Sequence, residues 1–335
     1  MFRYIVHRLL LMIPTLLAVS AIVFIIIQLP PGDYLETLIA EMASRGEAVD
    51  QNQIEALRQA YGLDKSPVEQ YFSWLFGLLQ GDFGWSFEHN RPVSELIGQR
   101  ILLTFVVTFS TIAFIWIVSF VIGTYVATRQ YSVSDHVATL IGYLGLATPN
   151  FLLALVLMYF ANQWFDTSIG GIMDDKYRNA PWTLDKMLSV LEHLWIPVIV
   201  IGTSGTAGMI RRLRANLLDE LQKQYVVTGR AKGLAPRKLL WKYPLRMALN
   251  PFIADIGSIL PEVISGSAVV AVVLNLDITG RMLLDALRAQ DMFLAGSFLM
   301  FLALLVVIGT LLSDLALAVL DPRIRLSGGP RDEPR

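Results

Sequence analysis

Three carboxylates, Asp255, Glu262 and Asp314, fall inside long apolar runs of this 335-residue chain. Ionisable groups in such runs are costly and face a cavity or a partner. Asp255, Ser258, Glu262, Ser265 and Gly266 sit at offsets 0, 3, 7, 10 and 11. At 100° per residue these positions gather within about 100° of arc on a helix, giving one polar, sterically open stripe. Such a stripe can line a path for polar solutes, its two carboxylates can carry an ion or proton, or it can bond a neighbouring helix. Asp314 lies seven residues before Asp321. That is about 10 Å of helix, close enough to reach water by a modest tilt, so a structural role is expected there.

Hydrolytic chemistry finds no support. Gly202-Thr203-Ser204-Gly205 fits the G-x-S-G pattern of intramembrane serine proteases, which need a histidine from another helix. The four histidines are His7, His89, His136 and His193, and none falls within an apolar run. His193 belongs to the helix of Ser204 itself, about 16 Å of rise away, so the glycines are read as close-packing residues. An aspartyl protease would need converging aspartates, and Asp255 and Asp314 lack the expected glycine flanks. The only Lys followed by Ser or Thr is Lys65-Ser66, preceded by Asp64, so no phosphate-binding P-loop exists. With no cysteine there is no thiolate metal site or disulfide, and no cofactor or metal is expected. An ATP-driven role must borrow its ATPase.

The elements that position these residues are membrane spans. The chain is 54% hydrophobic and 16% charged, against roughly 25% charged in soluble proteins. A span needs about 20 apolar residues, and six runs qualify: Leu9–Leu29, Ile101–Thr128, Thr139–Phe165, Leu194–Ile210, Pro251–Leu276 and Phe293–Leu320. The first is longer than a signal-peptide core and stops at Pro30-Pro31-Gly32, so it is read as a retained anchor. With the N-terminus inside, 17 Lys and Arg and six acids lie on the cytoplasmic side, against nine basic residues and 19 acids outside. The small net charge of −1 thus conceals a strongly polarised chain, and the positive-inside rule places both termini in the cytoplasm.

Two connections are long. The outside segment 30–100 shows helical apolar spacing at Leu35, Leu38, Ile39 and Met42, and again at Ile54, Leu57 and Tyr61. Aromatics from Tyr71 to Phe87 suit the membrane–water interface better than a ligand cage. The inside loop 211–250 carries ten Lys and Arg and two acids. A helix through about Lys232, a break at Gly233 and a restart near Pro236 are expected. The loop either fixes topology alone or offers a short, glycine-ended helix to a cytoplasmic partner.

Taken together, Pro31-Gly32-Asp33, Gly62-Leu63-Asp64, Gly81-Asp82-Phe83-Gly84-Trp85-Ser86, Thr148-Pro149-Asn150-Phe151, the inside loop Tyr225 to Leu234 and Leu320-Asp321-Pro322-Arg323-Ile324-Arg325 carry a resemblance. In this order and spacing the chain resembles the B-type membrane permeases of bacterial dipeptide/oligopeptide ATP-binding-cassette importers. The resemblance implies an all-α, six-span type I importer permease. Residues 1–29 would form the cytoplasmic N-terminus and first span, 30–100 an extracytoplasmic amphipathic-helix segment, 101–320 a five-span core and 321–335 a cytoplasmic tail. It also implies a homologous second permease, two cytoplasmic ATPase subunits and an extracytoplasmic solute-binding protein, in the bacterial inner membrane. A coupling helix would involve Tyr225, Val226, Thr228, Arg230, Ala231, Lys232 and Gly233. Its family signature E-A-A is replaced here by Val227, Thr228 and Gly229, with the terminal Gly233 kept. A family Pro-Gly-Leu-Gly-Arg is replaced by Asp277, Ile278, Thr279, Gly280 and Arg281. Relatives of this kind carry peptides, oligosaccharides or other solutes. Asp255, Ser258, Glu262 and Ser265 are the expected path residues, with an ion-coupled transporter using Asp255 or Glu262 as the alternative.

Overall fold

The computed structural model describes residues 2–29, 34–44, 51–60, 62–165, 170–177 and 180–320. The Pro30-Pro31-Gly32 stop, the Pro31-Gly32-Asp33 motif, Tyr61 and the tail from Asp321, with its Pro322-Arg323-Ile324-Arg325, lie outside them. The elements are α1 (Phe2–Gln28), α2 (Tyr34–Ser44), α3 (Gln51–Ala60), α4 (Pro67–Leu79), β1 (Trp85–Ser86), β2 (Arg91–Pro92), α5 (Val93–Thr128), α6 (Val133–Ala147) and α7 (Asn150–Phe165). Then come α8 (Leu184–Leu221), α9 (Gln224–Ala231), α10 (Pro236–Lys242), α11 (Pro244–Ala248), α12 (Asn250–Ala254), α13 (Ile256–Val273), α14 (Thr279–Arg288) and α15 (Met292–Leu320).

Among the described residues, four helices are long and apolar enough to cross a bilayer: Ile5–Gln28, Val93–Thr128, Leu184–Leu221 and Met292–Leu317. Two bent pairs bring the candidate crossings to six. The third expected span, Thr139–Phe165, is not one helix, because α6 and α7 meet at 103°. The cause is local: Thr148 precedes Pro149 and takes extended ψ 121°, as the proline ring disfavours helix in the residue before it. The fifth, Pro251–Leu276, bends by 53° around Asp255. The fourth, Leu194–Ile210, lies within the 38-residue α8.

The chain divides into two compact units, and α1, α5 and α15 each contribute residues to both. The first unit takes Val6–Thr104 and Ile278–Val307. Its α4 begins with a full capping box, Ser66 and Glu69 bonding each other's backbone, with Pro67 at the first helical position. One face of α4 packs Trp74 against Val23 and Phe24 of α1 and against Met292, while Tyr71 reaches the Ser20 hydroxyl at 2.9 Å. Phe72 and Phe76 stay exposed on the other face. A second core joins Val93, Leu96 and Ile97 of α5 to Met282 and Ala286 of α14 and to Leu294 and Ala295 of α15. Trp85 pairs with Pro92 and Ser86 with Arg91 in a short antiparallel hairpin. Its Ser86 hydroxyl donates to Asp291 Oδ2 at 2.6 Å, and that carboxylate also accepts from the backbone N–H groups of Glu88 and Leu294. Asp291 is fully buried, and burial pushes its pKa up despite these donors.

The second unit takes the described residues of Met1–Ile5, Phe105–Asp277 and Ile308–Arg335. Its axis is α8, which packs on α6, α7, α11 and α13. The small residues of α8 are there for contact. A Cβ at Gly202 would come 2.7 Å from Phe114, and one at Gly205 2.8 Å from Ile115. The Ser119 hydroxyl donates to the Thr206 carbonyl at 3.2 Å. The close-packing reading of Gly202-Thr203-Ser204-Gly205 therefore holds.

Candidate functional site: a polar cavity and a glycine-ended helix

Helices α8 and α13, with Ile115, Leu146 and Asn150, enclose a cavity of about 440 Å³ within the second unit. From α13 and its N-terminal junction come Asp255, Ser258, Glu262 and Gly266, so most of the stripe read from the sequence does converge. Ser265 does not line the cavity; its hydroxyl donates to the Pro261 carbonyl at 2.7 Å. From α8 come Ile201, Ser204, Gly205, Gly208, Met209 and Arg212. Ser204, Gly208 and Arg212 are spaced by four and share one face. The sequence reading counted Arg212 only as a topology-setting base; the fourfold spacing was the signal that tied it to this wall.

Arg212 Nη1 stands 2.6 Å from Asp255 Oδ2, an ion pair that joins α8 to the bend between α12 and α13. The bend leaves carbonyls at the end of α12 without helical partners. Ser313 of α15 fills that need, donating to the carbonyls of Ile253 and Ala254 at 2.7 and 3.1 Å. Asp255 is thus the hinge residue of the stripe rather than a member of a straight helix, and Glu262 lies two turns further along, exposed to the cavity.

The second feature follows α8 directly. Helix α9 ends in a Schellman motif: Gly233 N–H bonds the Arg230 carbonyl at 2.9 Å and Leu234 N–H bonds the Gly229 carbonyl at 3.2 Å. Gly233 has φ +76°, and a Cβ there would meet nothing within 4 Å, so glycine is required by conformation rather than space. Gly229 is the opposite case, since its Cβ would lie 2.5 Å from Leu239 of α10. Val226 is 1% exposed and faces inward with Gly229. Tyr225, Thr228, Arg230, Ala231, Lys232 and Gly233 are all exposed. The Tyr225 hydroxyl donates to Glu220; desolvation first, and that carboxylate second, hold the phenol above its usual pKa. Sequence reasoning also missed the tie of α8 to α6, where Arg214 makes a bidentate pair with Asp135 at 2.8 and 2.7 Å. Asp135 is 3% exposed.

A glycine-ended helix continuing from a wall of a polar cavity fits a transport subunit, and comparison with known proteins agrees. Residues 119–326 match the family described as "Binding-protein-dependent transport system inner membrane component". Residues 1–108 match "Binding-prot-dependent transport system membrane comp, N-term". The chain is 33% identical over 331 residues to the oligopeptide transport system permease protein AppB of Bacillus subtilis, covering 97% of this chain and 99% of that one. It is 33% identical over 325 residues to the glutathione transport system permease protein GsiC of Pectobacterium atrosepticum, at 97% and 99% coverage. The peptidoglycan transport system permease protein YejB of Agrobacterium fabrum is 28% identical over 356 residues, at 96% and 97% coverage. Nothing in these likenesses favours an ion-coupled carrier. The chain is therefore a membrane-embedded permease that belongs to the family of binding-protein-dependent transport system inner-membrane components.

Proposed function

We propose that this chain forms half of a translocation path, paired with a homologous second permease, driven by two cytoplasmic ATPase subunits and fed by an extracytoplasmic solute-binding protein. Both termini then face the cytoplasm, as the distribution of Lys and Arg favours. The chain performs no catalysis of its own, and the nucleotide chemistry belongs to its partners. Given relatives named for oligopeptide, glutathione and peptidoglycan transport, the solute is a peptide or a molecule bearing peptide-like groups.

One observation carries the coupling assignment: α9 presents Tyr225, Thr228, Arg230 and Lys232 outward while Val226 and Gly229 anchor its back against the same unit. Only Gln222 and Lys223 separate it from α8, which walls the cavity. Force from ATPase closure on α9 would pass along α8 to the Arg212–Asp255 pair and switch the opening of the cavity. Asp255, Ser258 and Glu262 are the proposed path residues. The test is Gly233→Val in the assembled importer. It strains the φ-positive cap while its Cβ meets nothing within 4 Å, so ATP hydrolysis should persist while uptake of the delivered solute falls at least tenfold. Unchanged uptake with unchanged ATPase association would remove α9 from the mechanism.

A further inference from the structure

Three charged side chains line the cavity: Arg212, Asp255 and Glu262. Two of them neutralise each other at 2.6 Å. Glu262 has no ion-pair partner among the described residues and stands exposed on α13, near the middle of the 251–276 apolar run. A carboxylate at that depth is costly and is retained where a counter-charge or water meets it. The remaining polar groups of the wall, Ser204, Asn150 and Ser258, are neutral. The cavity wall of this subunit therefore carries a net charge of −1, placed on one side chain.

We propose that Glu262 makes this wall a cation-preferring site, taking the ammonium or guanidinium group of a solute in transit, such as the free amino terminus of a peptide. The proposal rests on the reading of the cavity as part of the path. It gives that reading a chemical preference: of two solutes alike in size, the one with an unblocked amine is held more favourably here. The Arg212–Asp255 pair serves as the neutral neighbour, keeping Arg212 from cancelling the field of Glu262.

The test uses the absence of cysteine from the chain. Ser258→Cys lies one helical turn from Glu262, about 6 Å between Cβ atoms. In the assembled importer, its modification rate is measured with a trimethylammonium and with a sulfonate thiosulfonate reagent, each divided by its rate with a free thiol in solution. The labelled chain is read by mass. A unit charge at this distance in a partly wet cavity should favour the cationic reagent about tenfold. Adding Glu262→Gln should bring the ratio to about one, Glu262→Asp should retain the preference, and Asp255→Asn, by freeing Arg212, should shift it toward the anion. A ratio near one at Ser258→Cys, or one that Glu262→Gln leaves unchanged, overturns the proposal. If neither Ser258→Cys nor Gly266→Cys reacts with either reagent in any nucleotide state, the cavity is sealed, and the reading of it as a path fails together with the proposal.

Discussion

Removing the carboxylate of Asp291 strands three donors at once: the Ser86 hydroxyl and the backbone N–H groups of Glu88 and Leu294. Buried donors left unpaired cost about 1–3 kcal/mol each, so Asp291→Ala should destabilise its unit by about 3 kcal/mol or more, read as a lower thermal midpoint. Because burial raises its folded pKa, Asp291 favours the protonated state more in the folded than in the unfolded chain. Its contribution is complete below the unfolded value of about 3.9 and is lost as pH rises through the raised one. The midpoint of the wild type relative to Asp291→Asn should accordingly fall as pH rises from 4. A difference that grows over this range would show the opposite sign. The two glycines of α9 separate space from conformation. Gly229→Ala should cost about 1–2 kcal/mol by crowding Leu239, and Leu239→Ala should relieve part of that in the double variant. Ser204→Ala, with no histidine to activate the serine, should leave transport unaltered; its loss would reopen a hydrolytic role.

Helix α8 packs on α6, α7, α11 and α13, and the bidentate Arg214–Asp135 pair fixes its C-terminal half to α6. Taking away one partner of such a pair leaves a charge that the fold cannot solvate. Arg214→Ala should cost about 3 kcal/mol, and a double-mutant cycle with Asp135→Ala should recover much of it, whereas equal and additive losses would mean that the two act separately. This pair shows where sequence reading stops. Asp135 counted as an inside acid and Arg214 as an inside base, 79 residues apart, and no periodicity joins residues on different helices. The part of the stripe formed by Ser258, Glu262 and Gly266 was legible because the single helix α13 carries it, and the Schellman end of α9 because Gly233 marks it. One break between helices is signalled locally. Thr148-Pro149 was quoted as a motif, yet its stereochemical meaning, a 103° break, follows from the proline ring alone. The bend at Asp255 had no such mark, since it depends on Ser313 supplying hydroxyl bonds from 60 residues away.

For the whole molecule, the lopsided placement of charge yields a direct topological prediction. Reporter fusions active only outside the membrane should be active when joined after Pro92 and inactive when joined after Arg129 or Arg246; the reverse pattern would invert the proposed orientation. The division of the chain into units is a different matter. Amphipathic spacing announced the helices of 30–100, but nothing local announced that this segment closes with residues from Ile278 onward, because the partners are far apart in sequence. Thr104 meets Thr279, Ser86 meets Asp291 and the Phe83 carbonyl meets Ser297, at separations of 175, 205 and 214 residues. Those separations set a schedule for biosynthesis. At about 5–20 residues per second, Ser86 is synthesised roughly 10–40 s before Asp291. Through that interval the Ser86 hydroxyl and the Glu88 amide have no native acceptor. Native closure of this network therefore waits for the C-terminal helices rather than for insertion of the first one.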